Sequence, residues 1–385
     1  MSSEWIYLDH NATTPVDPKV LEAMLPYFTE IFGNAASNDH EFGHQAKKAV
    51  DHAREQIASV INAEPEEIIF TSGATESDNL ALFGVAQKYA RKGDHIITCV
   101  TEHKAVLDSC RRLEQVGKRV TYLPVDQYGM VDPDDVRRAI TPQTILISIM
   151  TANNEIGTIA PVSDIGTIAE EHGVLFHTDA AQAVGHIPMD VKAMNIHLMS
   201  ISAHKIYGPK GIGALYRRKS NPRPRLEPII FGGGHERGLR SGTLNVPAIV
   251  GFGKALEIAH REMRRESKKH YFWTQGIYRR LVTELRDVLL NGHPTQRLPH
   301  NLNVSIDGVE SRALIVHLVG IALATGSACT SSQVEPSHVI RALDTDGKRG
   351  HHAIRISVGR FNTDAEISVA TDAIIGVASE LRKLR

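Results

Sequence analysis

Short runs of β-branched and aliphatic residues alternate along this chain with longer stretches in which apolar residues recur every three to four positions. The strand-like runs are Glu67–Phe70, His95–Val100, Arg119–Leu123, Ile145–Met150, Val174–His177, His197–Ile201 and Gly213–Tyr216. Helical stretches Glu76–Lys88, Lys104–Gln115, Pro133–Ile140 and Val162–Glu171 fall between them. Strands alternating with helices in this way predict βαβ units and a mostly parallel sheet covered on both faces. From about Ala255 to Leu290 the pattern turns into one long, heavily charged helix that keeps an apolar stripe. Asn301–Ile306, Ser311–Val319, Ile321–Ala324, Ala353–Ser357 and an amphipathic helix from Asp364 then predict a smaller α+β unit. The expected organisation is a large α/β domain over residues 16–258 and a small domain made of residues 1–15 and 259–385.

Composition narrows the classes of function. A chain of 385 residues with 42% hydrophobic and 23% charged positions is long enough for two globular domains. A net charge of −1 provides no global field for nucleic acid or an acidic membrane. No apolar run approaches the ~20 residues of a membrane span, and the N-terminus has no basic segment leading into an apolar core. The chain is therefore expected in the cytoplasm, with no membrane and no direct nucleic-acid partner. Its three cysteines lack both a disulfide framework and paired zinc-type spacing.

Three predicted strand ends carry candidate chemistry. Lys205 stands at a corner between an apolar run and the turn Gly208-Pro209-Lys210-Gly211. A lysine held on a rigid element and partly desolvated has a lowered pKa, so its neutral amine can form a Schiff base with a carbonyl such as that of pyridoxal phosphate. The turn Thr71-Ser72-Gly73-Ala74-Thr75 leads from a strand into a helix, and first-turn amides and hydroxyls suit a phosphate. The same residues also fit a plain helix capped by Ser72 or Thr75. Asp179 ends another strand, where open α/β sheets meet their ligands, and Gln182 follows it. A carboxylate there would keep a pyridine nitrogen protonated, although Asp179 also fits a helix cap.

Taken together, Asp179-x-x-Gln182, Ser202-x-His204-Lys205, Thr71 to Ser77 and the arm Leu8-Asp9-His10-Asn11-Ala12-Thr13-Thr14-Pro15 resemble the NifS/IscS-type cysteine desulfurases. The resemblance runs from the arm to Arg360 in the family's own order. It implies the class V aminotransferase group, with the aspartate-aminotransferase-like fold type I, and pyridoxal 5'-phosphate as cofactor. On the matching positions, Lys205 would link to the cofactor, Asp179 would face its pyridine nitrogen and Gln182 its phenolic oxygen. His103 would stack on the ring and move protons. Ala74, Thr75, Ser202 and His204 would hold the phosphate, and Thr243 would reach the phosphate in a neighbouring subunit, which implies a homodimer with shared active sites. Cys329, in the Gly/Ser-rich run Thr325 to Ser332, would take sulfur from L-cysteine and hold it as a persulfide for an acceptor protein. Cys99 and Cys110 read as structural. Arg355, inside an apolar run, would bind the substrate carboxylate, with Asn154 beside it and an internal salt bridge as the other reading.

Departures from the family pattern concern the acceptor. Ala35 follows Gly33-Asn34 where proline is usual, and Ala203 precedes His204 where glycine is common. The chain stops at Arg385 without the longer tail of scaffold-binding iron–sulfur desulfurases. The short end puts iron–sulfur scaffold loading in doubt and raises a dedicated acceptor, as in tRNA thiolation or DNA phosphorothioation (DndA-like members, which share the Ala35 variant); the acceptor pathway stays open among tRNA thiolation, DNA phosphorothioation and iron–sulfur assembly. An aminotransferase or selenocysteine lyase of the same fold is the alternative within the class. From another class, His40-Glu41-Phe42-Gly43-His44 is a literal H-E-x-x-H and suggests a zinc hydrolase; Gly43 weakens the helix it needs, and no metal is expected.

Overall fold

A computed structural model describes residues 5–325, 336–344, 347 and 349–384. Its strands are β1 (Ile6–Tyr7), β2 (Ile68–Thr71), β3 (His95–Cys99), β4 (Arg119–Leu123), β5 (Thr144–Ser148), β6 (Leu175–Asp179), β7 (Leu198–Ser202), β8 (Gly213–Arg217), β9 (Val288–Asn291), β10 (Asn301–Ile306), β11 (Ile321–Ala322) and β12 (Ala353–Ser357). Seven of them form one sheet in the order β2-β8-β7-β6-β5-β3-β4. Pairing is parallel from β7 to β4, whereas β8 runs antiparallel to both of its neighbours.

Alternation along each strand explains why these runs look continuously apolar in sequence. Phe70, Ile97, Ile147, Phe176, Met199 and Tyr216 point to one face, and meet helix Glu41–Val60, helix Val162–Glu171 and the first part of helix Val246–Glu284. Ile69, Ile96, Leu146, Leu175, Leu198 and Leu215 point the other way, against helices Ala74–Lys88 and Lys104–Gln115. Both faces are buried, so neither can be polar.

The expected long helix begins earlier and ends sooner than the charge pattern suggested, running Val246–Glu284. The Asn245 side chain caps the amide of Ala248, with Pro247 in the first turn, and these set the start. At about 1.5 Å per residue, its 39 residues span roughly 58 Å. Val246 to Ala259 pack into the large-sheet core, while Trp273, Ile277 and Leu281 enter a second core. That second core lies around the antiparallel sheet β12-β10-β9 and helix Asp364–Lys383, which starts on a capping box between Thr363 and Glu366. The N-terminal arm belongs to it physically: Ile6 pairs with Ile321 in β11, and Leu8 is fully buried there.

Candidate active site

The carboxyl ends of β2, β3, β5, β6 and β7 open on one cavity of about 470 Å³. It is lined by Ser72 to Glu76, His103, Asn154, Asp179, Gln182, Ser202, His204, Lys205 and Arg355, with Asn11 to Thr13 of the arm closing one side. Ten of the twelve predicted site residues therefore meet in this place: Lys205, Asp179, Gln182, His103, Ala74, Thr75, Ser202, His204, Asn154 and Arg355. Thr243 is exposed and does not line this chain's cavity. Cys329 lies outside the described residues.

One end of the cavity, where the resemblance would place the phosphate, is built by backbone. Helix Ala74–Lys88 begins after Gly73, which has no side chain to cap it, so neither Ser72 nor Thr75 is the cap that the plain reading required. The amides of Ala74 and Thr75 are thus left for the cavity. Gly73 sits at φ +155°, and a Cβ on Gly213 would stand 2.6 Å from the Gly73 Cα, so the turn packs backbone to backbone against β8. Ser202 and His204 complete this end. The Nδ1 of His204 meets Thr13 Oγ1 at 3.1 Å, and burial, helped by Lys205 and Lys210, lowers its pKa to about 4. His204 is thus a neutral hydrogen-bonding group.

Asp179 is 6% exposed, and its Oδ1 accepts from the Ala181 amide at 2.9 Å; a turn follows, where the cap reading expected a helix. Burial raises its pKa, while His103 and Lys205 pull it back towards the charged form. Behind it, Asp78 and Glu102 are fully buried and held well above the usual carboxylate range, first by burial and then by the charge of Asp179. His177, two residues back on the same face of β6, is clamped by Ser148 and Ser200 at 2.9 and 3.0 Å. Burial lowers its pKa to about 3.

On the arm side, Lys205 Nζ donates to the carbonyls of Asn11 and Ala12 at 2.6 and 2.8 Å, and Gln182 Nε2 donates to the same Asn11 oxygen at 2.9 Å. Arg355, 1% exposed, donates to Asp9 Oδ1 at 2.7 Å and to the Asn154 carbonyl at 3.0 Å. The internal salt bridge is real, yet Arg355 still lines the cavity and its buried Nε has no partner among the described residues.

Sequence reasoning missed Asp9, Asn11, Thr13, Glu102 and His338. The arm's density of polar residues was a signal for Asn11 and Thr13. Nothing local tied Asp9 to Arg355.

The rival zinc site resolves differently. Helix Glu41–Val60 starts inside the motif, with the His40 ring capping it through the Gly43 amide, while His44 Nε2 bonds the Asn38 carbonyl. Among the described residues, no three His, Cys, Asp or Glu side chains come together as a metal site. Cys99 and Cys110 are both buried, and burial pushes their thiols up to about 12. No helix of the described residues is long and apolar enough to cross a membrane.

A mostly parallel sheet with an amine, a buried carboxyl and a helix start at the ends of β7, β6 and β2 defines a class of cofactor-dependent enzyme. The chain belongs to the class-V aminotransferase family, whose model matches residues 6–369. It is 51% identical over 379 residues to the cysteine desulfurase IscS of Rickettsia conorii, covering 98% of this chain and 92% of that protein. Among solved structures it resembles a NifS-like protein at a TM-score of 0.91 and 38% identity, over 98% of this chain and 100% of the other. It also resembles SspA in complex with cysteine, at 0.83 and 38%, over 93% and 99%. Within the family the chain is a cysteine desulfurase, and its cofactor is pyridoxal 5'-phosphate. The donor set fits that group: open amides and hydroxyls at one end, a buried carboxyl opposite, and one lysine amine between.

Proposed function

We propose that the chain converts L-cysteine to L-alanine and holds the sulfur as a persulfide on Cys329 for transfer to an acceptor protein. The gathering of Lys205, Asp179, Gln182 and the Gly73–Thr75 helix start around one cavity carries this reading. When bound, pyridoxal phosphate supplies an electron sink for the carbanion left after loss of the substrate's Cα proton. The chain's own residues supply everything that aims that chemistry. Amides of Ala74 and Thr75, with Ser202 and His204, hold the phosphate, and helix polarity favours the anion. Asp179 supplies the carboxyl at the far end, and burial favours the protonated forms of Asp78 and Glu102 behind it. Gln182 offers an amide N–H, and Lys205 is the amine that would hold the cofactor covalently. Arg355 and Asn154 meet the substrate carboxylate; SspA solved with cysteine supports that substrate.

Thr243, outside this chain's cavity, is assigned to the site of a second copy in a homodimer. The Cys329→Ala variant tests the reaction. It is expected to keep the visible absorbance of the bound cofactor while releasing no sulfide from cysteine above background; sustained turnover by that variant would remove Cys329 from the reaction.

A further inference from the structure

Two imidazoles besides His204 line the cavity, His103 and His338, and their hydrogen bonds fix them in opposite senses. His103 caps helix Lys104–Gln115: its Nδ1 accepts from the Ala105 amide at 3.1 Å, so in the neutral ring Nε2 carries the proton. His338, the first residue of helix His338–Leu343, places Nε2 2.9 Å from the carbonyl of Glu102. A carbonyl only accepts, so Nε2 of His338 is the protonated nitrogen and the neutral ring keeps its lone pair on Nδ1. No described residue donates to that Nδ1. One ring thus accepts through its backbone contact and the other donates through it.

The charged and titratable groups sharing the cavity with His338 are Glu76, His103, Lys104, Glu155, Asp179, His204, Lys205, Lys210 and Arg355. Most of the acceptors among them are engaged. Glu76 takes the guanidinium of Arg240 at 2.9 Å and the Ser72 amide at 2.8 Å, and these contacts hold its carboxylate down against the opposing effect of burial. Asp179 accepts from the Ala181 amide, and His204 Nδ1 is on Thr13. The substrate amine enters as an ammonium, next to Lys205, and must lose a proton before it can act as a nucleophile.

We propose that His338 is the base that takes this proton. The N–H bond of the α-ammonium breaks, its electron pair stays on the amine nitrogen, and the proton bonds to Nδ1 of His338. The neutral amine is then available as a nucleophile, and the imidazolium returns its proton to solvent. The Glu102 carbonyl is the positioning group, since it fixes which nitrogen is basic. The assignment rests on the desulfurase reading, and adds to it a residue that its strand-end motifs do not contain.

The test uses the cofactor-loaded enzyme and His338→Gln, whose side-chain amide retains an N–H for the Glu102 carbonyl but has no basic nitrogen. L-Alanine, which shares the ammonium and lacks the thiol, is the probe, followed by the change it causes in the cofactor's visible band. The expected result is a rate of that change about 10²–10⁴-fold below the unsubstituted enzyme near neutral pH. The deficit should shrink as pH rises and the free amine becomes abundant, and added imidazole should restore part of it in His338→Gly. A deficit independent of pH, an unchanged rate with alanine, or the same pH-dependent loss in Glu155→Gln and not in His338→Gln would overturn the assignment. Loss of cysteine turnover in the unsubstituted protein would instead remove the desulfurase reading itself.

Discussion

At the ends of β2, β3, β5, β6 and β7, every cavity residue follows its own strand within a few positions, and the alternation that buries the strand also aims the residue. Across the cavity, Arg355 and Asp9 come from positions 346 apart and hold each other through a single 2.7 Å ion pair. One wall is fixed by a seven-stranded sheet with both faces covered. The other joins β12, where Arg355 pairs with Asn303 of β10, to an arm of which two residues pair as a strand, β1 with β11. The sheet wall therefore holds Lys205, Asp179 and Gln182 on the more firmly fixed side. The arm wall carries the guanidinium that the proposed function gives to the substrate carboxylate. A buried charge stays affordable there only because Asp9 neutralises it.

Changes on the arm wall should separate the two. Arg355→Ala is expected to have the largest effect of these, lowering kcat/KM for L-cysteine about 10–100-fold through loss of a charge-assisted contact of about 1.5–3 kcal/mol. Most of this should appear in KM, while the cofactor's visible band stays intact; loss of that band would place Arg355 on the sheet wall's side of the division. Asp9→Asn keeps an acceptor and removes the countercharge. It should lower the thermal midpoint by several degrees through a partly uncompensated Arg355, with a smaller effect on KM. An unchanged midpoint would show that Arg355 needs no partner.

The smallest effect expected concerns acid. Burial lowers the pKa of His177 to about 3 on the sheet wall, and that of His10 and His270 to about 4 and 3 on the arm side. In each case the unfolded chain binds the proton at about 6.5 while the folded chain does not, so stability falls as pH drops from about 6.5 towards 4. Asp78 and Glu102 act in the opposite sense, because their raised folded pKa favours protonation of the native state. The histidines outnumber them, so the unfolding midpoint should be lower at pH 5 than at pH 7. His10→Gln should flatten that dependence, and a steeper slope in the variant would contradict the assignment.

The strand ends were legible because their information is local. An apolar run, a break and a polar residue specify a strand, its end and what stands there, as with Asp179 after Leu175–Thr178. Element limits moved by one or two residues where caps decided them, as at Gly73. The start of the long helix was harder to read, because its first part, Val246 to Ala259, is apolar on the large-sheet side and lacks the charges that marked the rest.

By itself the sequence determined the large α/β unit with its mostly parallel sheet, the lysine, carboxyl and helix start that stand at its strand ends, and the thiol at Cys329. Period-two and period-3.6 burial and turn chemistry act over a few residues, so they can be read in order along the chain. Only the tertiary structure decided that Asp9 neutralises Arg355, that the Asn11 carbonyl receives both Lys205 and Gln182, and that the Glu102 carbonyl sets the basic nitrogen of His338. Those contacts join segments that share no periodicity; they exist because two hydrophobic cores, threaded by one long helix and tied by one arm, close on the same cavity.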